Sequence, residues 1–112
     1  MKDPRILLLE IVEAIESIES FVAGMRLSQF ETDDKTSSAV VRKLEIIGEA
    51  TKQLSGEFRD KFPAVPWSLM ARMRDVLIHQ YTEVDYAIVW KTIKESLPET
   101  YIQLRKILEE LR

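Results

Sequence analysis

Residues 3–25 read DPRILLLEIVEAIESIESFVAGM, and the spacing within this stretch decides the fold. Leu8, Ile11, Ile15, Ile18, Val22 and Met25 recur at alternating intervals of three and four, which gathers them on one helical face. Glu10, Glu13, Glu16 and Glu19 fall off that face and can meet water. Asp3 followed by Pro4 marks the start, because Asp can accept from free backbone N–H groups and Pro is tolerated at the first helical position. The pattern predicts an amphipathic helix over about residues 4–25, one that needs partners to cover its apolar stripe.

Those partners follow along the chain. Residues 28–37 (SQFETDDKTS) are polar and rich in capping types, and predict a loop with one short helical turn, pinned to the core by Phe30. A second helix is expected from Ser37 to Leu54, with Val40, Leu44, Ile47, Thr51 and Leu54 as its stripe and Ser55-Gly56 as its stop. Gly48 inside it costs about 1 kcal/mol relative to Ala, which close approach of another helix would explain. Pro63 and Pro66 break the chain, since each disfavours helix in the preceding residue. A third helix starts at Trp67 or Ser68, carries Leu69, Met70, Met73, Val76 and Leu77 on one side, and ends between His79 and Tyr81. A fourth opens after Thr82 to Asp85, with Trp90, Ile93, Leu97, Tyr101, Leu104, Leu108 and Leu111 as a seam. Pro98 within it should kink or divide it. Four amphipathic helices without a strand-period segment give an all-α antiparallel four-helix bundle, with residues 1–112 as a single domain. Trp67, Trp90 and the terminal seam offer more apolar surface than such helices need hide, which leaves open either a filled core or an exposed patch for dimerisation.

Composition narrows the classes. The 112 residues suffice for one core, and 46% hydrophobic with 31% charged residues describes a soluble globule. No apolar run reaches the roughly 18 residues that span a bilayer and no signal-like segment opens the chain, so the expected location is the cytoplasm. Without cysteine there is no disulfide, thiolate metal site or cysteine nucleophile, and one histidine excludes a multi-histidine metal site within one chain. A net charge of −3, from 16 basic and 19 acidic residues, argues against sequence-independent nucleic-acid binding and confines any RNA contact to a few phosphates.

The chemistry is concentrated in Arg72-Met73-Arg74-Asp75-Val76-Leu77-Ile78-His79-Gln80-Tyr81, which holds cations, a carboxylate, the only imidazole and a phenol. On a helix Asp75 and His79 are an i, i+4 pair, with Arg72 on the same polar side. Arg74 projects beside Met70 and Ile78, about 140° from His79 on an ideal helix. A guanidinium among apolar neighbours requires an anion or a covering chain. Three structural readings stay open from the residues alone: His79 as a helix-end cap bonded to Asp75, Arg74 in a bundle salt bridge to Glu45 or Glu49, and Tyr81 as an aromatic lid.

Arg74-Asp75-Val76-Leu77-Ile78-His79-Gln80-Tyr81 is similar to the arginine, four residues, histidine, one residue, tyrosine pattern of HepT-like members of the HEPN superfamily. The run Ala39-Val40-Val41-Arg42-Lys43-Leu44-Glu45-Ile46-Ile47-Gly48-Glu49-Ala50 resembles that family's second-helix signature, and the helix layout follows it along nearly the whole chain. The resemblance implies the toxin of a type II toxin-antitoxin pair: a metal-independent endoribonuclease without cofactor, partnered by an MNT-type nucleotidyltransferase antitoxin. It implies catalytic roles for Arg74 and His79, support from Asp75, and Tyr81 as the AMP acceptor. Because one histidine cannot act as base and acid in the same instant, a composite site at a homodimer interface is expected. The alternative is a non-catalytic nucleotide-binding or scaffolding subunit of a two-component nucleotidyltransferase, in which the same residues hold a phosphate without cutting.

Overall fold

The computed structural model describes residues 2–79 and 84–111, with residues 74–79 described by backbone alone. Helix α1 spans Pro4–Val22, and the Asp3 carboxylate accepts from the Arg5 backbone N–H at 2.9 Å. It ends three residues before the expected Met25 because Gly24 adopts φ 76°, a left-handed conformation that side chains resist. Leu7, Leu8, Ile11, Val12, Ile15, Ile18 and Val22 are buried along it.

The polar segment that follows contains a complete short helix, α2 (Leu27–Thr32), rather than a single turn. Gln29 Oε1 accepts from the Arg26 backbone N–H at 2.8 Å and fixes its start. Phe30 is 0% exposed and meets the rings of Tyr86 and Trp90 at 5.8 and 5.2 Å between centroids, so it pins this segment as expected. Helix α3 (Asp34–Gln53) begins three residues earlier than Ser37, because Asp33 supplies the cap: its carboxylate accepts from the Thr36 N–H at 3.0 Å and the Thr36 hydroxyl at 2.9 Å. Val40, Leu44, Ile47, Gly48, Ala50 and Thr51 are its buried side, and Thr51 satisfies its hydroxyl on the Ile47 carbonyl at 2.7 Å.

Ser55-Gly56 does not act as a glycine stop. Leu54 already closes α3, and Ser55 opens another helix, α4 (Gly56–Asp60), by accepting from the Phe58 N–H at 3.0 Å. A capping serine and a stop signal share residue types, which is why the sequence pattern misassigned it. Helix α5 runs Trp67–His79, as expected from the proline-bracketed break. The C-terminal helix is continuous but not uniform: α6 (Tyr86–Lys91) passes through a π-helical segment (Thr92–Ser96) into α7 (Leu97–Glu110). The Leu97 N–H bonds the Thr92 carbonyl, five residues back, immediately before Pro98. Pro98 has no N–H to continue the α register and its ring crowds the preceding turn, so the widened segment is how this helix accommodates the proline.

Helix α3 lies between α1 and α5, while the C-terminal helix packs against α1 through α7 and against α2 through α6. One hydrophobic core joins them, from Leu8 and Ile15 through Leu44 and Ile47 to Ile93, Leu97 and Leu104. Every described secondary-structure element is helical, which makes this an all-α bundle of four long helices with two short ones inserted. Among the described residues no helix is long and apolar enough to cross a membrane.

Candidate active site on α5

Helix α5 is held at its start by Trp67, which is 7% exposed and donates its indole N–H to the carbonyls of Phe62 (3.0 Å) and Arg59 (3.1 Å). Its ring packs against Phe58, and Phe58 against Phe62, so α4 and the Pro63–Pro66 segment form a collar around this end. Gln103 of α7 ties the same segment down by donating to the Ala64 carbonyl at 3.0 Å. Met70 is buried and Met73 half-buried, and α5 lies along α3. This anchoring sets the direction in which the later turns of α5 point.

Arg74, Asp75 and His79 occupy those later turns, with helical backbone through His79. The helix therefore keeps Asp75 and His79 in the i, i+4 relation. The side chains of all three, and Tyr81 altogether, lie outside the described residues. Of the acidic partners considered for Arg74, Glu45 is 3.5 Å from the Arg42 guanidinium on α3, and Glu49 is half-buried one turn further on.

Directly before the motif lies a cleft of about 320 Å³ lined by Leu44, Leu69, Arg72, Met73, Ile88, Val89 and Thr92. It is bounded by α3, α5 and the C-terminal helix. Thr92, the first residue of the π-helical segment, spends its hydroxyl proton on the Ile88 carbonyl at 3.0 Å, so the walls offer little polarity beyond the exposed Arg72. Leu69 was expected on the apolar side of its helix and is instead 42% exposed, and Ile88 is 63% exposed. Trp67 is buried in the collar and Trp90 is half-buried against Phe30, with Lys94 Nζ 4.8 Å from the Trp90 ring centroid. The exposed large hydrophobic side chains among the described residues are Ile6, Leu9, Phe21, Leu69, Ile88 and Ile102, of which Leu69 and Ile88 line this cleft; Trp67 is not among them. Ile88 carried a signal that was overlooked, because it is a large aliphatic residue off the Trp90, Ile93, Leu97 seam.

The sequence profile described as ribonuclease HepT-like matches residues 11–107. A Thermococcus cleftensis protein named "Probable ribonuclease HepT" is 47% identical over 88% of this chain and 89% of its own length. A candidate RNase of Caldanaerobacter subterraneus subsp. tengcongensis is 44% identical over 98% of both chains, and one from Methanocaldococcus jannaschii is 40% identical over 98% of this chain and 91% of its own. No solved structure matches. With the Leu44–Ala50 signature on α3, Arg74 and His79 on α5 and the profile covering most of its length, the chain belongs to the ribonuclease HepT-like family of the HEPN superfamily.

Proposed function

We propose that this chain is a metal-independent endoribonuclease, the toxin of a type II pair, acting as a homodimer whose two α5 helices furnish one composite site. The observation that carries the reading is the sequence order Arg74, Asp75, His79, Tyr81 in a ribonuclease HepT-like chain, with the first three on the later turns of α5. Residues 1–112 act as one unit.

Cleavage without a metal uses the ribose 2′-OH as internal nucleophile. The protein then has to move protons and stabilise a phosphorane-like transition state. His79, the chain's single imidazole, suits proton transfer near neutral pH. Arg74 grips the phosphate with two parallel donors and opposes the charge that accumulates on it. Asp75, one turn before His79, orients the imidazole by hydrogen bonding. A second protomer supplies the second histidine, so that one acts as base at the 2′ oxygen and the other as acid at the 5′ oxygen.

Silencing acts on the same groove. AMP attached to Tyr81 by a nucleotidyltransferase antitoxin places a negative phosphodiester two residues from His79, where it repels RNA phosphate and fills space. The test is RNA cleavage and growth inhibition by Arg74→Ala and His79→Ala variants. Both activities should be lost while circular dichroism stays helical. Variants as active as the parent would remove these residues from the site. In the same series Tyr81→Phe should no longer gain AMP mass on co-expression with the cognate nucleotidyltransferase, and continued labelling would move the acceptor elsewhere.

A further inference from the structure

The acidity of this chain is concentrated on one helix. From Ile6 to Met25 the sequence holds Glu10, Glu13, Glu16 and Glu19 and no lysine or arginine. Taking those four carboxylates from the 19 acidic residues leaves 15 against 16 basic ones, so the excess negative charge belongs to α1. The same helix carries three of the six exposed large hydrophobic side chains among the described residues: Ile6 at 50%, Leu9 at 42% and Phe21 at 39% exposure. On a helix of about 100° per residue, Ile6, Leu9, Glu10, Glu13, Glu16 and Phe21 fall within an arc of about 140°. That arc lies opposite the buried stripe. Lys2 Nζ meets Glu10 at 2.8 Å and the Tyr101 hydroxyl donates to Glu16 at 2.6 Å, whereas Glu13 and Glu19 stand exposed without an ion pair among the described residues.

We infer that this outer face of α1 docks a basic amphipathic helix of a partner protein. Charge selects the occupant. RNA and anionic lipid carry the sign of the glutamate row and are repelled by it. A second copy is disfavoured for the same reason, because pairing two α1 faces sets carboxylates against carboxylates. A helix with aliphatic residues at intervals of three and four, flanked by lysine or arginine, answers both features: its apolar side covers Ile6, Leu9 and Phe21 while its cations approach Glu13 and Glu19. From Ile6 to Phe21 the face runs about 22 Å, which a partner helix of about 15 residues covers. Helix α1 packs on α3 and α7, and α3 lies between it and α5, so an occupant seated here leaves the later turns of α5 open. The docking face stands whether or not those turns cut RNA.

The probe is a fluorescein-labelled peptide of about 15 residues built only of leucine and lysine in an amphipathic helical pattern, titrated with the purified full chain and followed by fluorescence anisotropy. The parent should bind it. A scrambled peptide of the same composition, and one with glutamate in place of lysine, should each bind at least about tenfold more weakly. Two double variants, Ile6→Ala with Leu9→Ala and Glu13→Gln with Glu19→Gln, should each raise the dissociation constant by about tenfold with unchanged helical circular dichroism. Ile88→Ser, on the cleft beside α5, should leave it unchanged. A parent that does not bind, or that binds the scrambled peptide equally well, overturns the inference, the latter because charge alone would then account for the attraction. Binding that survives either double variant, or is lost in Ile88→Ser, overturns it by placing the peptide elsewhere. Self-association of the parent that Ile6→Ala with Leu9→Ala abolishes in sedimentation equilibrium also overturns it, since the face would then belong to a second copy.

Discussion

Asp33 shows how one side chain fixes where a helix begins. Hydrogen bonds from the Thr36 backbone N–H and then the Thr36 hydroxyl hold its carboxyl below the ordinary value of 3.8. A lowered folded value means the native state prefers the charged form. Asp33 therefore contributes stability above the ordinary aspartate range and loses that contribution as pH falls through the lower, folded value. Urea unfolding of the parent should weaken in that acid window more steeply than unfolding of Asp33→Ala, which should already be less stable at pH 7. Parallel pH profiles for the two proteins would show that the cap contributes nothing. Residues of this kind are only half legible in sequence. Asp3 stood out because Pro4 follows it, whereas Asp33 lay among four capping-type residues, Thr32, Asp33, Asp34 and Thr36, where pattern alone does not choose which one caps.

At the level of elements, the long helices were legible because each must bury a stripe, and the period of three and four survives whatever it packs against. The short ones were not. Helix α4 is five residues long and has no stripe to read; only Phe58 is buried in it. Pro98 was legible as a disturbance, but its consequence depends on geometry, since a kink, a break and a widened turn all answer a missing N–H. The π-helical segment adds a residue to the turn and thereby sets the phase of α6 relative to α7, which puts Val89 inward and leaves Ile88 outward. Pro98→Ala restores the donor and allows the segment to return to α register. The expected result is unchanged helical content and an altered Trp90 fluorescence, because α6 then turns relative to α7. Identical fluorescence would mean that the proline does not cause the widening.

For the whole molecule, charge and motif point in different directions, and their reconciliation is quantitative. A chain with net charge −3 cannot hold RNA through a broad basic surface, and pairing two copies doubles the negative total. The motif was readable because its residue types are rare together, one imidazole within a few residues of two guanidiniums. The cleft beside it was not, because Leu69 and Ile88, which line it, are separated in sequence and come together only through the bundle. If binding is confined to the arginines of the paired α5 helices, Arg72 and Arg74 from each copy, two to four phosphates are neutralised. The logarithm of affinity for a single-stranded analogue with 2′-deoxy substitution should then fall with the logarithm of salt concentration at a slope of about −1.4 to −2.8. Fluorescence anisotropy across a salt series measures it directly, and Arg72→Gln should flatten the slope by about 0.7 for each contact removed. A slope steeper than about −5 would require many more basic contacts than the paired α5 helices hold, and would place the RNA on another surface of the molecule.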